Sequence, residues 1–307
     1  MSKNSLFAEP HFQNDEAARA MLESILWPDG PVCAHCGVVN HSYKTKRPGV
    51  FRCAEKGCRK DFSVTMKTVM ERSHIALHKW LQAFHLMTSS KKGVSAHQLH
   101  RTLNIGYEAA WFMAHRIRES MRAGGLSPMG GGGKTVEIDE TYIGRLEGQP
   151  VRRGGASHKN TVLTLVERGG VARSFHIDTT SAAQIVPIIQ ANIAKETKLV
   201  TDEHAAYKGV GKNFASHDAV NHGVKEYVRH EGEHVITTNT VEGYYSIFKR
   251  GMKGVYQHCS EKHLHRYLSE YDFRYSNRIA LGVDDSERRT RAIKGASGKR
   301  LTYGGRH

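Results

Sequence analysis

Nowhere among these 307 residues is there an apolar run approaching the ~18–20 residues that cross a bilayer, so no membrane contact is expected. The segment Met1–Asn14 has no apolar core of the secretory-signal kind, and a cytoplasmic location is the expectation. Cysteine is sparse, at five, too few in a reducing compartment for a disulfide framework and suggestive of metal ligands or inert thiols. Acidic residues are outnumbered too: 30 Asp and Glu face 45 Lys and Arg, a net charge of +15 before any of the 20 His is counted. Such an excess suits a polyanion, because each Lys or Arg set against a phosphate releases condensed counterions. A generally basic soluble enzyme has the same composition, so charge alone does not choose. Apolar residues, at 39%, are plentiful enough to exclude wholesale disorder, and the length allows two or three small domains.

Four of the five cysteines fall in two close pairs, Cys33 with Cys36 and Cys53 with Cys58, separated by 16 residues. Each pair fits a tight knuckle, and the intervening segment is long enough for a hairpin that brings the knuckles together around one tetrahedral Zn²⁺. Gly37 and Gly57 are placed to give the knuckles their backbone freedom, and short strands are expected at 50–52 and 61–64. Four thiolates complete the shell, which makes such a zinc structural; four unrelated buried thiols are the alternative. Cys259 stands apart as a small apolar residue.

From Ile75 to Met121 the periodicity is helical, with Trp80, Phe84 and Met87 at helical spacing before a break at 89–93. A helix over 94–103 with Ser95 as N-cap, a turn at 104–107 and a second helix from Ala109 to Arg122 make a helix-turn-helix pattern. On that reading Arg116 and Arg118 lie on a polar, DNA-binding face; plain packing helices are the alternative. The glycines between 124 and 133 predict a flexible linker and a domain boundary.

Beyond the linker, residues 135–144 alternate as a half-buried strand does, and further strands are expected at 160–167, 171–177 and 198–202, with a helix over 181–194 before the last. Three strands, a crossover helix and a strand ending in Asp is the order of an RNase H-like α/β domain. Asp139 and Asp202 then end up close if their strands are neighbours, and a following helix carries Glu242, with Lys249 two turns on along one face. Three carboxylates of this kind are able to hold two divalent cations ~3.5–4 Å apart for in-line phosphoryl transfer, and hard oxygen ligands select Mg²⁺ or Mn²⁺. Lys249 is placed to touch phosphate. Glu137, Glu140 and Glu203 are understudies for the acids, and Asn239 is a rival to Glu242, either as a ligand through its amide or as a helix cap.

Several stretches together resemble one family: the knuckle at 33–37, residues 58–63, 92–99, 110–118, 138–144 and 201–203, the run from Asn239 through Arg278, and 298–303. In this order they are similar to bacterial insertion-sequence transposases with an N-terminal zinc ribbon and a DDE catalytic domain. The resemblance implies metal-dependent cleavage of double-stranded DNA at the element's terminal repeats, joining of the 3′-hydroxyls to target DNA, and a homo-oligomer assembled on DNA. The expected domains are an N-terminal segment and zinc ribbon over 1–72, a helical DNA-binding segment over 73–125, a glycine-rich linker over 126–134, an RNase H-like catalytic domain over 135–280 and a basic tail over 281–307. Two departures stand out: four residues rather than two separate Cys53 from Cys58, and the turn at 65–68 has no glycine. A domesticated, non-catalytic DNA-binding protein and an RNase H-like nuclease that only hydrolyses are the competing functions.

Overall fold

The computed structural model describes residues 6–150, 156–224, 226–232 and 234–302; residues 1–5 and the end of the expected tail from Tyr303 lie outside the described residues. The chain divides into two compact units, one from Ala123 to Val283 and one built from Met1–Arg122 together with Asp284–His307.

The first unit begins with α1 (Asp15–Leu26), capped by Asn14, whose side chain accepts from the Ala17 N–H at 2.8 Å. A small antiparallel sheet follows, of β1 (Ser42–Lys44), β2 (Phe51–Cys53) and β3 (Asp61–Phe62), with β2 in the middle. Helices α2 (Leu77–Ser89), α3 (Ala96–Leu103) and α4 (Tyr107–Met121) come next. Ser95 caps α3 by accepting from the Gln98 N–H at 3.1 Å, and Asn104, at φ 48° and ψ 60°, turns the chain left-handed into α4. The helix, turn and helix of the expected pattern are therefore present.

The second unit contains β4 (Thr135–Ile143), β5 (Asn160–Glu167), β6 (Ala172–Ile177), α5 (Ala182–Asn192), β7 (Lys198–Asp202) and β8 (Ser216–Val220). A hairpin of β9 (Val228–Glu231) and β10 (His234–Thr237) leads into α6 (Asn239–Gly251) and α7 (Glu261–Ser276). The sheet order is β6-β5-β4-β7-β8; the pairs among the first three are antiparallel, and β4–β7 and β7–β8 are parallel. An antiparallel meander joined through a crossover helix to two parallel strands is the RNase H-like arrangement, and the protein is of that α/β class. Alternation along the strands feeds two cores. Val136, Ile138, Leu163, Leu165 and Leu199 pack with Ile185 and Ile189 of α5. Ile143, Val162 and Val166 pack with Val241, Tyr245 and Phe248 of α6 and with Leu264 and Leu268 of α7.

Three features differ from the sequence expectations. Part of the glycine run is tied to the second unit: the Gly130 N–H donates to Glu167 at 3.0 Å, the Gly131 N–H to Thr197 Oγ1 at 2.9 Å, and Met129 is buried. Gly130 is needed there, since at φ +85° a Cβ would meet Thr197 Oγ1 at 2.2 Å. The expected basic tail contains a helix, α8 (Asp285–Lys294), packed within the first unit against α1, α2 and α4. Arg288 donates to the Thr88 carbonyl at 3.2 Å, and Ser297 bridges to Thr68.

The third difference concerns DNA contact. Arg116 and Arg118 are only 8% and 2% exposed, and His115 is buried beside them. Arg116 spends its guanidinium on the Glu71 and Leu301 carbonyls, at 3.1 and 3.2 Å, and stacks over Phe112. The second half of α4 is buried, so neither arginine stands on the open polar face that the sequence suggests. The exposed polar side chains are on α3 instead, at His97, Gln98, Arg101 and Thr102, with Tyr107 stacked on His97 at 4.3 Å.

Candidate metal centres and active site

In the ribbon, the Sγ atoms of Cys33 and Cys58 lie 3.7 Å apart, and those of Cys36 and Cys53 lie 3.6 Å apart. All four thiols offer ligand atoms within 4.8 Å of one another. A tetrahedron with Zn–S bonds of ~2.3 Å has edges of about 3.8 Å, so the thiols fit one zinc ion. Burial works against the Cys33 thiolate, yet the backbone N–H groups of Cys36 and His35 pull its pKa down to about 6. Gly37 takes φ +80°, as a knuckle requires, but at the second knuckle the left-handed residue is Arg59, at φ +51°, and not Gly57. The residue following the second cysteine of each pair makes this turn, which is why the wider spacing of Cys53 and Cys58 is accommodated. At the glycine-free turn Lys67 takes φ +54°, and its carbonyl accepts from the Gly298 N–H at 2.8 Å.

The acidic cluster forms where β4 and β7 run side by side. Their last recorded pair is Glu137 with Val200, and Asp139 and Asp202 each lie two residues further on. Asp139, Glu140 and Asp202 all offer a carboxylate oxygen within 4.8 Å of one another. Asp139 Oδ1 accepts from the Glu140 N–H at 2.8 Å, and Asp202 Oδ1 from the His204 N–H at 3.0 Å. Burial raises the Asp139 pKa to about 7, against the pull of the Glu140 N–H, and the charges of Asp202, Glu140 and Glu242 push it further up. Glu140 is raised as well, first by burial, and its buried Oε1 has no hydrogen-bond partner. Crowded carboxylates with an orphaned oxygen, which the His204 imidazole approaches only to 4.0 Å, suit a hard divalent cation.

Glu242 is outside this tight triangle. It sits exposed on the first turn of α6, where it accepts from the Thr238 hydroxyl at 2.9 Å, yet it is near enough for its charge to act on Asp139. Lys249 is on the same helix, half-buried, its ammonium 5.8 Å from the Tyr245 ring centroid. Burial lowers the Lys249 pKa, and the nearby Asp139 charge opposes that. Asn239 is the first residue of α6, with Thr238 at the N-cap position, so its side chain does not cap the helix.

Two understudies have other work. Glu203 accepts from the His222 and Gly223 N–H groups at 2.9 and 3.1 Å. Glu137 is fully buried and bonded to the start of α6. The third, Glu140, joins the cluster. Strand alternation argues that neighbours such as Asp139 and Glu140 point apart, and only the three-dimensional arrangement shows their oxygens meeting.

Residues 130–276 match the family of ISXO2-like transposase domains, and residues 13–61 match the transposase zinc-ribbon domain. The chain is also 27% identical, over 285 residues, to a protein in transposable element ISH50 of Halobacterium salinarum, spanning 86% of this chain and 91% of that one. A crystal structure of a pre-cleavage Mos1 transpososome matches 69% of this chain and 73% of its own at 11% identity, with a TM-score of 0.26. The chain thus carries a transposase zinc-ribbon domain followed by an ISXO2-like transposase domain, and it is similar along nearly its whole length to a mobile-element protein, in keeping with the resemblance to insertion-sequence transposases.

Proposed function

We propose that this transposase is catalytically active: that it cleaves DNA at the ends of its element and joins the freed 3′-hydroxyls to target DNA. The observation that supports this best is the convergence of Asp139, Glu140 and Asp202 on one site, with Glu242 and Lys249 presented by α6. Asp139 and Asp202 are the principal ligands for two Mg²⁺ or Mn²⁺ ions, and Glu242 completes the set in preference to Asn239. Bound there, such ions activate the attacking oxygen and stabilise the leaving oxygen of an in-line displacement. Glu140 adds a further oxygen beside the aspartates. Lys249 offsets charge on the phosphate; burial lowers its pKa, and the Asp139 charge opposes that shift.

Double-stranded DNA is the partner, as terminal repeat and as target, and the active assembly is a homo-oligomer formed on DNA in the cytoplasm. The ribbon holds one structural zinc through Cys33, Cys36, Cys53 and Cys58. A strand-transfer assay with duplexes containing the flanking element ends, supplied with Mg²⁺, tests the reading. Joined products are expected. Nicks without joining would favour a purely hydrolytic nuclease, and binding with neither product would favour a DNA-binding role alone.

A further inference from the structure

Helix α6 starts without help from its own N-cap side chain. Thr238 occupies that position, but its hydroxyl is turned to Glu242 and caps nothing. The N–H groups of the first turn are satisfied from the sheet instead. Glu137 Oε2 accepts from the Thr240 N–H at 2.7 Å and the Val241 N–H at 2.9 Å, while Oε1 accepts from the Thr240 hydroxyl at 2.7 Å. The same carboxylate takes a bond from Arg168 Nε at 2.7 Å, and Arg168 reaches on to the Val235 and Thr237 carbonyls at 2.6 and 2.8 Å. Glu137 is 0% exposed and therefore fully committed to this role. Its four bonds are charge-assisted and it faces the positive end of the helix dipole.

Glu137 lies two residues before Asp139, on the same face of β4. Its three contacts on α6 come one and two residues before Glu242. We infer that Glu137, with Arg168 behind it, is a positioning residue: it sets the start of α6 against β4 and so fixes the spacing between Glu242 and the Asp139–Asp202 pair. The inference rests on the proposed metal site, since it is that spacing which Glu137 holds. A carboxylate is required, because only an acceptor at both oxygens satisfies two amides, a hydroxyl and a guanidinium at once.

The test uses the full chain. Glu137→Gln introduces a donor where only acceptors serve, and Thr240→Val removes one hydroxyl while leaving both amide bonds. In metal-free protein, amide exchange at Thr240 and Val241 is expected to quicken at least tenfold in the Gln variant. The Mg²⁺ concentration giving half-maximal thermal stabilisation is expected to rise about tenfold, and less in Thr240→Val, with element-end binding unchanged. A lower melting temperature combined with wild-type amide exchange and an unchanged Mg²⁺ midpoint would overturn the inference. If Glu137→Gln does not fold, Thr240→Val decides: a shifted midpoint supports the role and an unshifted one overturns it. Asp139→Asn is the control for the site itself. Were it to keep the wild-type Mg²⁺ response, the metal-site reading would fall, while altered amide exchange in Glu137→Gln would still report the anchor.

Discussion

The Tyr245 hydroxyl donates to the backbone carbonyl of Asp139 at 2.5 Å, with the Val162 carbonyl 3.3 Å away as a longer branch. This bond ties the middle of α6 to β4 through the main chain, so the Asp139 carboxylate is free to meet other groups. Together with the Glu137 contacts it gives α6 two fixings on one strand, separated by a single pleat. The side chains brought together by those fixings can each be tested.

Asp139 makes stability depend on pH in a defined direction. Its pKa is raised from 3.8 to about 7 in the folded, metal-free protein, so the folded state binds the proton more tightly. Stability from this group is therefore fully present below pH 3.8 and is lost as pH rises towards 7. The gap corresponds to at most about 4 kcal/mol. Mg²⁺ competes with that proton, so melting curves should show little stabilisation by Mg²⁺ at about pH 5 and much more at about pH 8. Asp139→Asn should abolish cleavage, as should Asp202→Asn. It should also raise the metal-free melting temperature at the higher pH, and a lowered value would contradict the electrostatic account.

On α6 the rival ligands separate by substitution. Glu242→Gln is expected to eliminate cleavage and strand transfer in Mg²⁺, whereas Asn239→Ala should leave appreciable activity. Glu140→Gln should weaken Mg²⁺ binding without removing it, because both aspartates remain. Single-turnover cleavage across a Mg²⁺ titration distinguishes the three, and a lethal Asn239 change beside a mild Glu242 change would transfer the role to Asn239.

DNA affinity should fall steeply with salt, and the slope identifies the contacts. Arg101→Ala and Lys249→Ala should each make the log–log slope shallower by about one. Arg116→Ala should instead leave the slope unchanged and cost on the order of 2–3 kcal/mol, because two carbonyls lose their buried partner. Filter-binding titrations at several salt concentrations, paired with denaturant melts, measure both quantities. A change in slope for Arg116→Ala at full stability would restore it as a phosphate contact.

The ribbon's own core is very small, centred on Cys33, Phe51, Cys53 and Phe62. Chelation, or serine at any one of the four ligand cysteines, should therefore unfold it and weaken end binding. Metal analysis of purified protein should find one zinc per chain. Conversely, Arg59→Gly should stabilise the zinc-loaded protein by about 0.5–1 kcal/mol, since glycine adopts the left-handed turn without strain. A denaturant midpoint that does not rise would show the knuckle to be unstrained.

Much of the architecture was legible because local periodicity is strong where both faces of an element are defined. The alternation of residues 135–144, the wholly buried run of β5 and the isoleucines of α5 each declared their type, and their order gave the sheet. Asp139 and Asp202 were legible as a pair because parallel neighbours end at the same height. The misreadings share a cause. Arg116 and Arg118 looked solvent-facing because the segment that encloses α4 comes from some 180 residues further along the chain, with Leu301 the partner of Arg116. Glu137 looked like a spare acid because its partners, Arg168, Thr240 and Val241, belong to a distant turn and a distant helix. Periodicity reports which face is buried, and not what lies opposite it.

Helix α8 has a consequence for how the molecule is made. The first unit takes its residues from both sides of the second, so the second unit is an insertion into it. During synthesis all of residues 123–283 leave the ribosome before α8 does, and domains fold as units as they emerge. The inserted second unit therefore reaches its native state while the first unit still lacks the helix that packs on α2. Only a chain translated through its far end has a finished surface for α2 and α4. Fragments that stop before Asp284 would contain all of the second unit but not an intact first unit.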